Sequence, residues 1–453
     1  MSGARLFHNQ ENVECSSVVN PGESELVETF DLVLTGGRVI DPESGLDATR
    51  NVGIKGHTIA AVSEDELAGP VRVDVSGLVV APGFIDPHNH GNQYLPTMRA
   101  MIFDGITTAL DLEAGGSPGP AGYDKAECEG RPMNYGFAAN WAEVRSRVLD
   151  GVGGDGTIGG LAKMMAAGRR VFELASEVET KRIVGILGDE LDGGALGIGI
   201  LLGYLPDTGH DEYYDITSLA AEKNVVTFTH ARTSLNVIEP KAAYEGAAEI
   251  VAAAAGTGAH HDWERVTNDE RLNEIRAEDP GGVCIIHFLD ESKPDELELI
   301  RKALVFPGGA FCTDGVPYQV GPQFLEGEGN WPLPDGASCH PRAVGTYAKV
   351  LGRCVRDWGW LTLSEALARG SLVVANILEE SVPAMRKKGR LSVGADADIV
   401  VFDADTVDCR ATYENPRQTS VGFRHVIVSG EFVLKDSELI LDSMPGRAVR
   451  RTA

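Results

Sequence analysis

Residues 79–90 read VVAPGFIDPHNH, a short apolar run that meets a Gly/Pro break and is followed by two histidines. An apolar run bounded by turn residues is typical of a buried strand in a parallel sheet. His88 and His90 stand two positions apart, and residues i and i+2 of an extended chain project to the same side. Both imidazoles can therefore reach one metal ion, so the stretch predicts a strand that ends in a metal site.

Beyond this run, to about residue 388, apolar runs alternate with longer helical patterns, which is typical of βα units and a parallel sheet. The candidate strands are LVVAPGFID (78–86), ITTALDLEA (106–114), MNYGFAA (133–139), ALGIGILLG (195–203), VVTFTHA (225–231), GTGAHH (256–261), GVCIIHF (282–288) and GAFCTD (309–314). Helical patterns between them begin at Ala242, Asn268 and Asp295. Eight strands with intervening helices over residues 79–388 predict an α/β fold, a (β/α)8 TIM-like barrel.

The two ends of the chain differ from this middle part. Residues 31–78 and 389–453 contain short Val/Ile runs separated by Gly, Asp and Asn, a pattern typical of antiparallel strands and turns. Because chain termini often lie close together, we expect both segments to join in one small β domain. Residues 1–30 form a polar tail, for which solvated disorder is the expectation.

Composition narrows the class of protein. The 453 residues include 67 acidic and 40 basic side chains, a formal net charge of −27, so the surface repels phosphate backbones and anionic lipid. Neither nucleic acid nor a membrane is an expected partner. The first 30 residues lack the apolar core of a secretory signal, which predicts a cytoplasmic protein. The seven cysteines are scattered without a CxxC pair, which argues against a disulfide scaffold and a zinc ribbon.

A barrel of this kind places its reactive residues at the carboxyl ends of its strands. Candidate metal ligands occupy such positions in this sequence: His88 and His90 after the first strand, Glu113 in the second, His230 in the fifth, His260 and His261 in the sixth, His287 in the seventh and Asp314 in the eighth. Adjacent residues of a strand point to opposite faces, so only one of the two sixth-strand histidines faces the metal, and the pattern leaves open which. The competing interpretations are that His230 packs in the core, that Glu113 is a solvated loop carboxylate and that Asp314 only forms a turn.

Three residues are candidates for catalysis or substrate binding. A carboxylate that touches both metal and water can accept the proton of an attacking water, and this is the role expected for Asp314. Arg232 shares a strand face with His230, and its guanidinium could grip either the carboxylate of a substrate or one inside the protein. Tyr204 follows the glycine-rich fourth strand and could orient a substrate carbonyl or pack in the core.

Five motifs, VVAPGFIDPHNH, ITTALDLEAG, VVTFTHAR, FCTDGVP and GADADIVVFD, together resemble the amidohydrolase superfamily of metal-dependent hydrolases. Within it, the stretches GAFCTDGVPY, SCHPRAVGTYAKVLGR and KKGRLSVGADADIVVFDAD resemble the N-acyl-D-amino acid deacylases, or D-aminoacylases, including the D-glutamate deacylase branch. The resemblance extends from about residue 31 to residue 440.

The resemblance implies a distorted (β/α)8 barrel, a small β-sandwich built from both chain ends, and zinc, as one or two divalent ions, at the barrel mouth. It implies metal ligands at His88, His90, His230 and one of His260 and His261, with Asp314 as the catalytic aspartate. The chain departs from the family in three ways. Glu113 stands in place of a second-strand cysteine, candidate strands three and four contain no lysine that could be carboxylated, and the segment after GTGAHH looks shortened. A carboxylate can still bridge divalent ions.

The expected function is that of a metal-dependent amidohydrolase that removes the acyl group from N-acyl amino acids, of D configuration by the resemblance. The partner is then a small acylated amino acid, and a homo-oligomer is possible. One alternative is a cyclic amidase that opens a hydantoin, dihydropyrimidine or imide ring, because the same kind of site opens such rings. Another is a metal-free scaffold, against which the complement of candidate ligands argues.

Overall fold

A computed structural model describes residues 29–116, 119–232, 249, 250, 253, 260–263 and 291–451. The polar tail before residue 29, most of the predicted helix from Ala242, the predicted helix from Asn268 and the predicted strand 282–288 with His287 lie outside them. No helix within the described ranges is long and apolar enough to cross a membrane. The cysteines within them are free thiols at positions Cys128, Cys312, Cys339, Cys354 and Cys409.

The described strands form a sheet from both chain ends, two parallel groups and a small hairpin. In chain order they are β1 (Leu32–Asp41), β2 (Leu46–Lys55), β3 (Thr58–Ser63), β4 (Val71–Asp74), β5 (Val79–Pro82), β6 (Phe84–Asp86), β7 (Ile106–Asp111), β8 (Asn134–Phe137), β9 (Ala139–Asn140), β10 (Gly197–Leu201), β11 (Val226–His230), β12 (His260–Trp263), β13 (Gln319–Val320), β14 (Gln323–Phe324), β15 (Ile399–Phe402), β16 (Phe423–Val428), β17 (Glu431–Lys435) and β18 (Glu438–Leu439).

The helices lie mainly between the parallel strands and after the eighth predicted strand. They are α1 (Leu95–Ile102), α2 (Gly119–Glu129), α3 (Trp141–Leu149), α4 (Ile158–Ala167), α5 (Glu177–Asp192), α6 (His210–Glu222), α7 (Pro294–Leu304), α8 (Thr346–Lys349), which continues as a π-helix (Val350–Asp357), α9 (Leu363–Gly370) and α10 (Leu372–Leu378). The helix predicted from Asp295 is confirmed as α7. Capping boxes begin α5 at Ser176 and α9 at Thr362, each closed by a glutamate three residues later.

The sheet from the chain ends has the order β18-β17-β16-β15-β5-β1-β2-β3, with β4 also on β1. Its central strand β5 pairs in parallel with β1 and antiparallel with β15, so it joins the N-terminal and C-terminal segments. Leu34, Val80 and Val401 are completely buried in the apolar cluster that this sheet shares with neighbouring residues. The two ends of the chain thus form one layer.

The first predicted strand, LVVAPGFID, proves to be two strands. Its first half, β5, belongs to the sheet from the chain ends, and only β6 enters a parallel group. The chain turns between them at Gly83, where a Cβ atom would lie 2.2 Å from Thr107 Oγ1. One apolar run therefore serves two sheets, and a hydrophobic pattern alone cannot separate them.

The two parallel groups, β6-β7-β8 and β9-β10-β11-β12, follow one another along the chain. Only Ala138 separates β8 from β9, and its N–H donates to the Asp111 carbonyl at 3.0 Å. Six successive strands of the predicted barrel therefore form a parallel arc, with their carboxyl ends at one edge. Ile198 and Ile200 of β10 pack against helices α3 and α5 in one buried apolar cluster, which orients the opposite face of β10 toward the site.

The eighth predicted strand lies beside the first. Residues 310–314 make no strand ladder among the described residues, yet the Thr313 N–H donates to Asp86 Oδ1 at 3.0 Å. Asn89 and Gly315 then form an isolated parallel bridge. This placement brings the two ends of the predicted barrel together.

Candidate metal centre

The loop after β6 carries the His-x-His pair, and buried hydrogen bonds fix its shape. The Asp86 carboxylate accepts hydrogen bonds from the Thr313 N–H at 3.0 Å, the Thr313 hydroxyl at 2.5 Å and the Asn89 amide at 2.8 Å. Burial raises the pKa of Asp86 despite these donors. Because these contacts tie the first and eighth strand ends together, His88 and Asp314 are held side by side.

Four side chains, His88, His90, Glu113 and Asp314, point donor atoms at one place, and we call them the donor cluster. His88 Nε2 lies 3.2 Å from Glu113 Oε2 and 3.3 Å from Asp314 Oδ1. His90 Nε2 lies 3.6 Å from each of the same two oxygens. Ligand atoms around a tetrahedral zinc with bonds of about 2.1 Å are roughly 3.4 Å apart. Both imidazoles lie at about this distance from both carboxylates, and among the described residues the ligand atoms of His88, His90 and Asp314 all lie within 4.8 Å of one another, close enough to share one divalent cation.

A buried carboxylate behind the cluster orients His90. Asp111 is 1% exposed, and both of its carboxylate oxygens lie 3.2 Å from His90 Nδ1. Because a carboxylate only accepts hydrogen bonds, we assign the ring proton to Nδ1, which leaves the Nε2 lone pair facing Glu113 and Asp314. The Gly115 N–H donates to Asp111 Oδ1 at 2.9 Å and fixes the carboxylate in turn.

Opposite charges control the titration of the donor cluster. Burial lowers the pKa of both imidazoles, but Glu113 beside His88 and Asp111 beside His90 raise these pKa values well above the usual one. Burial raises the pKa of Glu113 and of Asp314, yet the neighbouring imidazoles hold the Glu113 pKa well below its usual value and lower that of Asp314. The carboxylates thus stabilise positive charge here, and a divalent cation could supply it in place of protons.

His230 joins the cluster through Glu113. It ends β11, and its Nδ1 lies 2.7 Å from Glu113 Oε1. The imidazole lies against Gly203, where a Cβ atom would be 2.2 Å from His230 Cδ2. At Gly199 a Cβ atom would be 2.2 Å from the Glu113 carbonyl oxygen. The glycines of the fourth strand therefore make the space in which Glu113 and His230 meet.

Tyr204 lies at the mouth of the site. Its side chain is about half exposed, and its ring centroid lies 4.8 Å from that of His230. Burial, followed by the Glu113 and Asp314 carboxylates, raises the pKa of Tyr204. Core packing is therefore not its role, and the orientation of a substrate carbonyl stays a prediction.

Arg342 holds Asp314 in place. Asp314 has a φ of 46°, in the left-handed region that aspartate tolerates better than most residues. Arg342 Nη2 donates to Asp314 Oδ2 at 2.5 Å, and Arg342 Nε donates to the Asp314 carbonyl at 2.9 Å. Because Arg342 holds Oδ2, the other oxygen of Asp314 faces His88 and His90.

Arg232 makes an ion pair inside the protein. Its Nη2 lies 2.8 Å from Glu249 Oε1 and its Nε lies 3.0 Å from Glu249 Oε2. Nη1 donates to the carbonyls of Pro206 and Thr208. Of the two partners that the sequence left open, the structure therefore contains the internal carboxylate, and grip of a substrate by Arg232 stays a prediction.

We expect Arg232→Met to destabilise the protein by about 1–3 kcal/mol, because the substitution leaves Glu249 with only the exposed His210 as a partner, at a site where the Arg232 and Glu249 side chains are both 13% exposed. Thermal unfolding measures the effect. Arg38→Met is the matched control, since its ion pair with Asp47 is exposed and the loss should stay below about 1 kcal/mol. If the melting temperature is unchanged and KM rises only for substrates that carry a carboxylate, Arg232 binds the substrate.

The sixth strand has other bounds than those predicted. Its predicted range, 256–261, ended in His260 and His261, whereas β12 begins with them. The parallel register sets His260 opposite Val226 and Trp263 opposite Thr229, so both histidines lie toward the strand end away from His230. The orientation of their side chains lies outside the described part of the chain, so a metal-ligand role for one of them stays a prediction.

Two residues of the site escaped the sequence reasoning. Asp111 ends β7 and Glu113 follows two positions later, so the period of the predicted strand 106–114 already placed both carboxylates on one face. Arg342 lies 28 residues after Asp314, and no local pattern connects the two.

We expect Glu113→Ala to weaken zinc binding by at least about 10-fold, since even the loss of a group that only orients a metal ligand reaches that scale. Glu113→Cys should restore part of the affinity, because a thiolate is an accepted zinc ligand. Metal per chain after dialysis measures both, with Glu298→Ala on the exposed side of α7 as the control. Unchanged zinc content in Glu113→Ala would make Glu113 an ordinary loop carboxylate.

No family model matches the chain. It is 29% identical to N-acyl-D-glutamate deacylase of Alcaligenes xylosoxydans xylosoxydans, over 94% of this chain and 98% of that protein. It is 25% identical to D-aminoacylase of the same organism, over 94% of this chain and 99% of that protein.

A solved structure shows the same fold. It is N-acyl-D-glutamate deacylase from Bordetella bronchiseptica, complexed with zinc and a phosphonate inhibitor that mimics the tetrahedral intermediate. The TM-score is 0.67 at 23% identity, covering 93% of this chain and 100% of that one.

The chain is similar to proteins of the amidohydrolase superfamily, among them a D-aminoacylase whose solved structure covers 93% of this chain and 100% of that one at a TM-score of 0.68. Within that class it is similar, along almost its whole length, to the N-acyl-D-amino acid deacylases, as the sequence motifs predicted. Its fold is the α/β fold of the solved D-aminoacylase structures.

Proposed function

We infer that this protein is a metal-dependent hydrolase that removes the acyl group from N-acyl-D-amino acids. The convergence of four donor atoms at distances of 3.2–3.6 Å is the observation that supports it most directly. The relatives are named for deacylation of N-acyl-D-amino acids, and this supports the substrate class and its configuration.

The donor cluster would hold the metal, with His88, His90 and Asp314 as its core and Glu113 between this core and His230. All ligand atoms of the core lie within 4.8 Å of one another. Zinc fits these nitrogen and oxygen donors. A divalent cation bound there would polarise an amide carbonyl and lower the pKa of water toward neutrality. The first and eighth predicted strands lie side by side, and this contact supports a closed (β/α)8 barrel around the metal site.

Asp314 is the general base of the proposed reaction. Its Oδ1 would take the proton from the attacking water and deliver it to the leaving nitrogen, while Arg342 keeps the carboxylate turned toward the histidines. Tyr204, at the mouth of the site, would orient the substrate carbonyl. Arg342 also offers a contact for the substrate carboxylate, because no hydrogen bond within the described ranges engages its Nη1, whereas Arg232 is saturated by Glu249 and two carbonyls.

Metal analysis combined with a substrate screen tests the proposal. Purified protein from zinc-supplemented culture should carry metal and hydrolyse N-acyl-D-amino acids faster than their L isomers. Hydantoin and dihydropyrimidine rings belong in the same screen, and preference for them would replace the proposal with a cyclic amidase. Less than about 0.2 metal per chain, with no activity gained on adding zinc, would reject a metal-dependent hydrolase altogether.

A further inference from the structure

The turn that carries Arg342 lies directly against the residue proposed as the base. It is a single turn of 3₁₀ helix, Pro341–Val344, and its last two side chains are completely buried. A Cβ atom at Gly315 would lie 3.3 Å from Ala343 Cα, so the turn packs against the residue that follows Asp314. From this turn Arg342 donates to the Asp314 carboxylate and to the Asp314 carbonyl. Whatever fixes Arg342 therefore also fixes the direction of the Asp314 carboxylate.

Two side chains hold the main chain of Arg342. The Arg342 N–H donates to His340 Nδ1 at 3.1 Å, and the Thr346 hydroxyl donates to the Arg342 carbonyl at 2.8 Å. His340 stands immediately before the turn, a position usually taken by serine, threonine, aspartate or asparagine, whose side-chain oxygens accept from a backbone N–H. An imidazole nitrogen accepts a hydrogen bond only when it carries no proton. The hold on Arg342 therefore depends on which nitrogen of His340 is protonated.

Tyr413 sets the position of that proton. Its hydroxyl oxygen lies 2.8 Å from His340 Nε2, and the two rings meet edge to face with centroids 5.1 Å apart. Because Nδ1 accepts from the Arg342 N–H, we assign the ring proton to Nε2, which donates to the Tyr413 hydroxyl oxygen. Tyr413 lies between β15 and β16, in the part of the chain that contributes to the sheet from the chain ends. This segment thus reaches Asp314 through three consecutive contacts.

We propose that His340 is a positioning residue for the reaction: together with Tyr413 it fixes the main chain of Arg342, and Arg342 keeps the Asp314 carboxylate turned toward the metal site. The inference rests on the proposed function, in which Asp314 takes the proton from the attacking water. Without the Nδ1 acceptor the turn that carries Arg342 is free to shift. A displacement of about 1 Å at a group that acts on the reacting atoms can lower the rate by up to roughly 100-fold.

Three variants separate the parts of this contact. His340→Ala should lower kcat by roughly 10-fold to 100-fold while zinc content stays that of the wild type. His340→Asn should recover most of this loss, because the asparagine side-chain oxygen can accept from the Arg342 N–H in place of Nδ1. Tyr413→Phe removes only the hydroxyl and should lose part of kcat. The controls are His57→Ala and Tyr214→Phe, two exposed side chains away from the turn, and both should leave kcat unchanged.

A double-mutant cycle shows whether His340 acts through Arg342. Arg342→Met removes the group that His340 is proposed to position, so adding His340→Ala to it should lower kcat no further. If His340 only supports the fold, its loss will add to that of Arg342→Met. Steady-state kinetics of the two single variants and the double variant, each with its zinc content measured, give the comparison.

Crystal structures of the wild type and His340→Ala decide the contact without any turnover. We expect the Arg342 guanidinium on the Asp314 carboxylate in the wild type and displaced from it in the variant; if His340→Ala does not fold, Tyr413→Phe takes its place. A guanidinium that stays on Asp314 in the variant, or additive losses in the cycle, overturns the role of His340 and leaves the proposed hydrolase intact. A zinc-loaded wild type that hydrolyses no N-acyl amino acid rejects the proposed function instead, and the two crystal structures still decide whether His340 fixes Arg342.

Discussion

Asp314→Asn should lower kcat by roughly 10²-fold or more while the protein keeps its fold and most of its metal. Asparagine matches aspartate in shape, so its side-chain oxygen can still face His88 and His90, but the neutral amide cannot take a proton from water. Steady-state kinetics, metal analysis and thermal unfolding of the same preparation measure the three properties.

Asp335→Asn is the matched control for this substitution. Asp335 is a fully exposed carboxylate that, like Asp314, pairs with an arginine, in this case Arg417 at 2.9 Å. Its loss should leave kcat unchanged. Near-normal kcat in Asp314→Asn would show that a different group moves the proton and would remove Asp314 from the proposed mechanism.

The sequence predicted the site correctly where the deciding feature is local, such as the alternation of side chains along a strand or a turn of the chain. In the second predicted strand, 106–114, the alternation of side chains places Asp111 and Glu113 on one face, and the structure brings both to the histidines that follow the first strand. The glycines of the fourth predicted strand likewise indicate close packing against that strand. The Glu113 backbone lies against Gly199, and the His230 side chain lies against Gly203. Glycine in a strand is costly unless something occupies the space of its side chain.

The sequence did not predict contacts between residues that are far apart in the chain, and it did not decide between two structures that share one hydrophobic pattern. The apolar run of residues 79–86 reads as one strand, and only the packing of Gly83 against Thr107 divides it between two sheets. The partner of Arg232 is Glu249, which no strand period connects to it. Likewise, the register of β12 depends on its pairing with β11, and a shift of a few residues moves His260 and His261 from one end of the strand to the other.

Asp111→Asn tests whether a carboxylate that does not itself bind the metal contributes to metal binding. We expect zinc affinity to fall by about 10-fold to 100-fold, or about 1–3 kcal/mol, which is the usual effect of losing a carboxylate that orients a metal-binding histidine. Asp111 holds the proton of His90 on Nδ1, with both oxygens 3.2 Å away. The amide of asparagine has one acceptor only, and its NH₂ group would favour a proton on Nε2, where a metal could no longer bind.

A chelator competition titration measures the zinc affinity, and thermal unfolding shows whether the fold is kept. Asp47→Asn in β2 is the control, because that carboxylate pairs with Arg38 in the sheet from the chain ends. If Asp111 only fills space, zinc affinity in Asp111→Asn will equal that of the control. If it sets the tautomer of His90, affinity falls while the control is unchanged, and Asp111→Ala, which removes both the acceptor and the competing donor, falls by less than Asp111→Asn. A larger loss of zinc affinity in Asp111→Asn than in Asp111→Ala would show that Asp111 controls the position of the His90 proton and does not merely support the imidazole ring.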